Sequence, residues 1–141
     1  MKLLSIMAML SILTSCFAGS SSKAGNQEKL PEPPYRLVDV VEFSKAVADT
    51  NVVVMDVRTE EEFQSGSIDS KGRLGTINID VEKSDFLEKS LELLPKDKTI
   101  ALYCRSGRRS KTASSTLVDN GYKVLELAGG INAWTAKFPN E

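Results

Sequence analysis

The chain has 141 residues, of which 41% are hydrophobic and 26% charged, and its formal net charge is -1. These values predict one compact domain, and they provide no basic field that would attract nucleic acid. The sequence contains two cysteines and no histidine. Zinc sites of the Cys/His type and catalytic pairs that use histidine are therefore excluded, and we predict neither a metal nor a cofactor.

The first fifteen residues have the layout of a secretory signal peptide. Lys2 gives a positive start, residues 3–13 are mostly apolar, and small residues follow. This run is shorter than the ~20 residues that span a bilayer. The segment 13–16, Leu-Thr-Ser-Cys, resembles a bacterial lipobox, so we predict a lipoprotein signal peptide over 1–15 and lipid attachment at Cys16. The alternative is an ordinary signal peptide cleaved near Ala18 or Ser20, which would remove Cys16.

Residues 16–34 are rich in Ser, Gly, Lys, Gln and Glu and end in three prolines, which predicts a flexible tether. Acyl chains on Cys16 would hold the protein on a membrane surface without spanning it. We therefore expect an exported protein that is anchored on the periplasmic side. Phe17 stands where an aspartate marks inner-membrane retention in enteric bacteria, which points to the outer membrane if such sorting applies.

Residues 35–141 alternate short apolar runs with amphipathic segments, which is typical of an α/β domain, and we expect it to be a monomer. The pattern predicts strands over 52–57, 76–80, 99–103 and 122–127. Helices are predicted over 40–48, 59–64, 83–94, 109–120 and 131–138. In the third helix Phe86, Leu87, Leu91 and Leu94 recur at helical spacing, so we expect this stripe to face the core.

The strand 99–103 ends at Cys104, and Arg105-Ser106-Gly107-Arg108-Arg109-Ser110 follow before the next predicted helix. Backbone N–H groups of such a loop and of the helix start converge on one point and stabilise an anion there. A thiolate is such an anion, and neighbouring cations lower a cysteine pKa further. The three arginines would also suit an oxyanion substrate.

The alternative for Cys104 is a purely structural role as a small buried residue. Its three neighbouring arginines argue against this. In an exported chain with Cys16 acylated, Cys104 would also lack a disulfide partner. We therefore predict that Cys104 is a functional, accessible and ionised thiol.

Three segments that together cover about 37–138 form one pattern. The segment Cys104 to Ser110, CRSGRRS, is similar to the active-site loop of single-domain members of the rhodanese-like sulfurtransferase family. Upstream, Asp56-Val57-Arg58 with Glu62-Phe63 resembles the family's DVR-x-x-x-E-[FY]. Downstream, Gly129-Gly130-Ile131 with Trp134 resembles GG-[IVM]-x-x-W. Each segment alone is a weak signal, whereas the three in this order are specific.

The resemblance implies a three-layer α/β/α domain with a five-stranded, mostly parallel sheet. It implies that the Cys104 thiolate takes a sulfur atom from thiosulfate or a similar anion, releases sulfite, and passes the persulfide sulfur to a thiol or protein acceptor. The backbone of 105–110 would bind the persulfide. It also implies that Asp56 and Arg58 lie near the loop; we expect Arg58 to pair with Glu62. Trp134 is expected in the core and Gly129-Gly130 in a turn.

The chain departs from the family at two places. Ser67 replaces the histidine of the common Gly-His-Ile, and residues 70–74 form an insertion. The basic residues of this insertion are read as solvated surface charges, with contact to an anionic partner as the alternative.

Two rival functions use the same thiol. The active-site loop of a cysteine phosphatase resembles the pattern Cys-x5-Arg. Counted from Cys104, that pattern would require arginine at position 110, where this chain has Ser110. A persulfide carrier or redox-sensing module would form the same thiolate without turnover, and the sequence does not separate it from an enzyme.

Overall fold

The computed structural model describes residues 31–69 and 71–139. The predicted signal peptide, Cys16 and most of the predicted tether lie outside the described residues. The strands are β1 (Tyr35–Val38), β2 (Val52–Asp56), β3 (Ile77–Asn78), β4 (Thr99–Tyr103) and β5 (Lys123–Leu127). The helices are α1 (Val40–Ala46), α2 (Glu60–Gln64), α3 (Phe86–Leu93), α4 (Arg108–Asp119) and α5 (Gly130–Lys137).

The five strands form one parallel sheet in the order β1-β5-β4-β2-β3, which confirms the predicted α/β class. Buried residues of α3 and α4 pack against one face of the sheet. Buried residues of α1 and α5, Phe43 and Trp134 among them, pack against the other. The domain therefore has three layers, and Trp134 lies in the core as expected.

Strand β4 occupies the middle of the sheet and is buried on both faces. Ile100 and Leu102 point toward α4, and Ala101 and Tyr103 toward α1 and α5. Because successive side chains of a strand alternate between faces, the next residue, Cys104, points toward α4. This alternation fixes the side of the sheet on which the thiol lies.

Strand β1 was not among the strands predicted from the apolar pattern. Only Val38 of its four residues is buried, because the strand lies at the edge of the sheet and pairs with β5 alone. An edge strand with so few buried residues lacks the apolar pattern that identifies central strands.

Helix α3 differs from its predicted inward stripe. Phe86 and Leu94 are buried, as expected, but Leu91 is 47% exposed, and Ser90 is buried in the position that a leucine was expected to take. Ser90 Oγ donates a hydrogen bond to the Phe86 carbonyl at 2.7 Å, and the Ser90 carbonyl accepts one from the Tyr122 hydroxyl at 3.1 Å. A serine satisfied in this way can be buried without penalty, so the prediction for Leu91 was wrong.

The insertion near residue 70 is organised by Asp69. Its carboxylate accepts hydrogen bonds from the backbone N–H groups of Arg73 at 2.6 Å and Leu74 at 2.9 Å. Lys71 and Arg73 are exposed, in keeping with solvated charges. Within the described part of the chain, none of the helices has the length and apolarity needed to cross a bilayer.

Candidate active site

Cys104 lies directly after β4, and the cysteine loop, residues 104–110, leads into α4. Gly107 has a φ of +105°, a conformation that L side chains rarely adopt, and it forms the N-cap of α4. This turn bends the loop back over the sulfur. The Gly107 N–H donates to Cys104 Sγ at 3.1 Å.

The sulfur is surrounded by hydrogen-bond donors. Burial raises the pKa of Cys104, but its hydrogen bond with the Ser110 hydroxyl and those from the backbone N–H groups of Ser110, Gly107 and Ser106 outweigh this effect. The pKa of the thiol therefore lies below its usual value. Three of the predicted loop residues, Ser106, Gly107 and Ser110, thus converge on the sulfur.

Cys104 is only 1% exposed, although the sequence predicted an accessible thiol. The loop residues that follow it, Arg105, Ser106 and Arg108, are by contrast exposed. Beside the loop lies an open cavity of about 500 Å³, whose lining includes Arg105, Arg58 and Asn132. Arg105 gives this cavity a positive charge, whereas Cys104 is not among the residues that line it.

The first turn of α5 fixes the loop from outside. The Ile131 N–H donates to the Cys104 carbonyl at 2.9 Å, and the Asn132 N–H donates to the Arg105 carbonyl at 3.1 Å. With these two carbonyls held by α5, the next N–H groups of the loop face the sulfur. Gly130 permits this approach, because a Cβ there would lie 2.4 Å from the Cys104 carbonyl oxygen. The Gly-Gly pair is therefore a close contact with the loop as well as the turn that was expected.

Arg109 does not face the sulfur as a free cation. Its guanidinium forms two hydrogen bonds with Glu62, at 2.7 and 2.8 Å, and lies 3.4 Å from Glu82. Arg105 Nε lies 3.3 Å from the same Glu62 carboxylate, yet its side chain stays 64% exposed. Arg109 thus ties the start of α4 to α2. Arg105 and the exposed Arg108 are the loop arginines that an anion can reach.

Asp56 and Arg58 form a buried ion pair. Arg58 Nη2 lies 2.6 Å from Asp56 Oδ2 and donates to the Gly66 carbonyl at 2.7 Å. The expected pair of Arg58 with Glu62 was therefore wrong, because Glu62 is bound by Arg109 and Arg105. Asp56 is fully buried, whereas Arg58 also lines the cavity beside the loop.

Replacing Glu62 by glutamine should remove part of the acid sensitivity of the fold. The hydrogen bond from Arg109 is the largest influence on Glu62; burial opposes it, and the Thr59 N–H and the charge of Arg105 assist it, so that the pKa falls from 4.5 to about 2. A lowered pKa stabilises the fold above pH 4.5, and this contribution is lost as the pH falls toward 2. We expect Glu62→Gln to lower the free energy of unfolding at neutral pH by about 1–2 kcal/mol, allowing for partial exposure.

The measurement is chemical denaturation of both proteins at several pH values. The difference between wild type and Glu62→Gln should shrink as the pH falls below 4.5. Glu61→Gln, on the exposed side of α2, is the matched control and should leave stability nearly unchanged. A difference that is constant with pH would contradict the assignment of the low pKa to Glu62.

Sequence reasoning missed three contacts of this site: the ion pairs of Glu62 with Arg109 and Arg105, the close approach of Gly130 to the cysteine loop, and the hydrogen bond that Glu126 of β5 accepts from Ser110. Glu126 had a visible signal, because it is the one charged residue within the otherwise apolar stretch 124–128. Among the described residues, no cluster of His, Cys, Asp and Glu side chains is suited to hold a metal ion.

Residues 39–137 match the model of the rhodanese-like domain. A sulfurtransferase of Allochromatium vinosum is 37% identical over 99 residues, which cover 69% of this chain and 85% of that protein. The thiosulfate sulfurtransferase GlpE of Pseudomonas savastanoi pv. phaseolicola is 31% identical over 71% of this chain and 88% of its own length.

Solved structures agree with the sequence relatives. A rhodanese-related protein from Thermoplasma volcanium superposes with a TM-score of 0.61 at 29% identity, covering 73% of this chain and 93% of that chain. The family match spans most of the chain and includes the cysteine loop. The chain therefore belongs to the rhodanese-like domain family, whose members include sulfurtransferases.

Proposed function

We propose that this protein is a rhodanese-type sulfurtransferase that uses thiosulfate or a similar sulfane-sulfur anion as donor. The Cys104 thiolate attacks the outer sulfur of thiosulfate, a new S–S bond forms, and the old S–S bond breaks with its electron pair leaving on sulfite. The outer sulfur of the resulting persulfide then passes to a thiol or another thiophilic acceptor, which regenerates the thiolate.

The observation that carries this proposal is the convergence of N–H groups on Cys104 Sγ. The amides of Ser106, Gly107 and Ser110 stabilise negative charge at the sulfur, and the pKa of the thiol is lowered as a result. The attacking thiolate and the persulfide product are both anions, so the same donors favour both. No histidine is needed for this chemistry, and the chain has none.

The charges beside the loop fit an anionic donor. Arg105 lines the cavity beside the cysteine loop with its side chain 64% exposed, and its guanidinium offers planar donors suited to sulfonate-type oxygens, whereas Arg58 at the same cavity is paired with Asp56. The GlpE relative, named as a thiosulfate sulfurtransferase, supports the choice of donor. The sulfurtransferase of Allochromatium vinosum supports the reaction class.

The test is to mix the protein with thiosulfate and measure sulfite release and intact protein mass. A sulfurtransferase gains one sulfur atom per chain, and adding cyanide or a thiol gives many turnovers. Loading without turnover would favour the alternative of a persulfide carrier or redox-sensing module. Failure to load any sulfur would contradict both the sulfurtransferase and the persulfide carrier.

A cysteine phosphatase is disfavoured by the loop. Ser110 stands at the place of the arginine in the phosphatase pattern Cys-x5-Arg. It is fully buried and hydrogen-bonded to Cys104 and Glu126. There is no guanidinium at this position to bind a phosphate.

We also propose that the protein is exported and anchored to a membrane through Cys16. The support is the residue pattern of 1–16 and the proline-ended tether. Detergent partition and mass measurement of the mature protein would test it, with Cys16→Ser as the variant. A mature chain that starts at Ala18 or Ser20 and stays in the aqueous phase would contradict lipid attachment.

A further inference from the structure

Glu126 is a buried carboxylate on β5, between the edge strand β1 and the central strand β4. It lies on β5 with its side chain toward α4, and it is 2% exposed. Within the described residues it forms no salt bridge. A buried carboxylate without a cation is costly unless hydrogen-bond donors satisfy it.

Hydroxyl groups connect Glu126 to the thiol. Ser110 Oγ donates to Glu126 Oε1 at 2.7 Å, and Cys104 Sγ lies 3.5 Å from the same Ser110 oxygen. The other carboxylate oxygen accepts hydrogen bonds from Ser114 Oγ and the Tyr35 hydroxyl, both at 2.9 Å. One serine thus bridges the nucleophile and a buried acid.

The two ends of this path, Cys104 and Glu126, are coupled through the single hydrogen of the Ser110 hydroxyl. A serine hydroxyl has a single hydrogen, so Ser110 can donate either to Glu126 or to the sulfur. When Glu126 is ionised, Ser110 donates to it and accepts the Cys104 S–H. When the sulfur is a thiolate that Ser110 donates to, Glu126 Oε1 loses its donor and is satisfied by carrying a proton itself.

We propose that Glu126 is a positioning residue that accepts, through Ser110, the proton released by the Cys104 thiol. The S–H proton moves to Ser110 Oγ while the Ser110 hydrogen moves to Glu126 Oε1. The products are a thiolate and a neutral carboxylic acid, with no change in total charge. The buried pair holds one proton in common, and Glu126 supplies the base that a chain without histidine lacks.

The other ionisable groups near the path from Cys104 to Glu126 lie on β1 and α4. Tyr35 from β1 has its pKa raised to about 12 by burial, by its hydrogen bond to Glu126 and by the charge of that residue, so it stays protonated at neutral pH. Arg109 of α4 interacts with the charge of Cys104 but is held by Glu62. Lys111 and Asp119 of α4 line a surface cavity next to Tyr35. Glu126 is the carboxylate joined to the sulfur by a hydrogen-bonded bridge.

The pH dependence of alkylation of Cys104 by iodoacetamide tests this coupling. Two groups that share a proton titrate in two macroscopic steps, so the wild-type rate should show two inflections more than about one pH unit apart, with a plateau between them. Glu126→Gln, which keeps the shape and the acceptor oxygen, should show a single inflection between the two wild-type values. The matched control is Ser114→Ala, which removes a hydrogen bond to the same carboxylate without interrupting the path, and should keep both inflections.

A second measurement does not depend on the folding of the Glu126 variant. Infrared difference spectra of the wild type should show a carboxylic-acid carbonyl band that titrates in two steps, whereas Cys104→Ser should show one step. A wild type with one inflection in alkylation, or a Glu126→Gln profile no different from that of Ser114→Ala, would overturn the proposal, as would identical infrared titrations of wild type and Cys104→Ser.

The coupling of Glu126 to the Cys104 thiol rests on the proposed function only where it is assigned a role in sulfur transfer. Iodoacetamide reacts with the thiolate directly, so the two tests can fail separately. Two inflections without sulfur loading from thiosulfate would refute the proposed function alone. Sulfur loading with a single inflection would refute the role of Glu126 alone.

Discussion

Cys104→Ser is expected to abolish sulfur loading from thiosulfate. A serine hydroxyl remains protonated at neutral pH, and the loop donors that lower the pKa of the thiol cannot lower that of an alcohol far enough to make it a nucleophile. We expect the rate of persulfide formation to fall by at least ~10³-fold, which is the scale seen when a nucleophile is removed. Intact mass after thiosulfate treatment should show one added sulfur atom on the wild type and none on the variant.

The fold should survive this substitution. Serine is close in size to cysteine, and its oxygen can still accept the Gly107 N–H and contact Ser110. A stability change of about 1 kcal/mol is expected. Ser115→Ala, on the exposed face of α4, serves as the control and should load sulfur like the wild type. A Cys104→Ser protein that still gains sulfur would end the assignment of Cys104 as the sulfur acceptor.

Gly130→Ala is expected to disrupt the cysteine loop, although Gly130 lies on α5 and not in the loop itself. Gly130 has a φ of +58°, and an added Cβ would lie 2.4 Å from the Cys104 carbonyl oxygen and 2.6 Å from that of Arg105. Both obstacles are backbone atoms, and α5 holds them by two hydrogen bonds. Because neither can yield as a flexible side chain would, either α5 or the loop must move. We expect a loss of stability of about 2–4 kcal/mol.

The functional effect of Gly130→Ala should exceed its effect on stability alone. Once the two loop carbonyls are displaced, the amides of Ser106 and Gly107 no longer converge on the sulfur, and the pKa of Cys104 should rise. We expect sulfur loading at neutral pH to fall by about 10²-fold, the scale set by loss of a preorganised anion site. Loading rates and the pH dependence of alkylation on folded protein measure this.

Gly121→Ala is the matched control for this experiment. Gly121 also has a positive φ, +83°, but no atom lies within 4 Å of an added Cβ. It should therefore lose about 1 kcal/mol for the strained backbone and keep normal reactivity at Cys104. If the two alanine variants were equally reactive, the close approach of α5 would not be what orders the loop.

The sequence was enough to predict that residues 104–110 form a loop that stabilises an anion. A buried strand that ends at a cysteine, followed by a glycine-containing basic turn and a helix, specifies an anion-stabilising loop because the backbone N–H groups there have no other partners. The central strands were predicted for a similar local reason. Residues 52–57 and 99–103 are short, nearly unbroken apolar runs rich in β-branched residues, the pattern typical of a parallel strand buried on both faces.

Tertiary contacts decided which charged groups face the sulfur. Arg109 looked like a substrate ligand and is held by Glu62, while Arg58, expected to pair with Glu62, pairs with Asp56 instead. A charged side chain can reach several partners of opposite sign, and the choice depends on distances set by the packing of α2 against α4. Those distances cannot be predicted from the residues next to each charged group in the chain.

The same limit explains Ser90, Gly130 and Glu126. Each makes its decisive contact with a different element of the fold: Tyr122, the carbonyls of the cysteine loop, and Ser110. The sequence by itself determined the position of the cysteine loop, the family and the α/β layers, because these follow from short patterns along one strand, turn or helix. Only the tertiary structure decided which hydrogen bonds and ion pairs surround the thiol, because these join residues distant in the chain that meet only when the sheet is assembled.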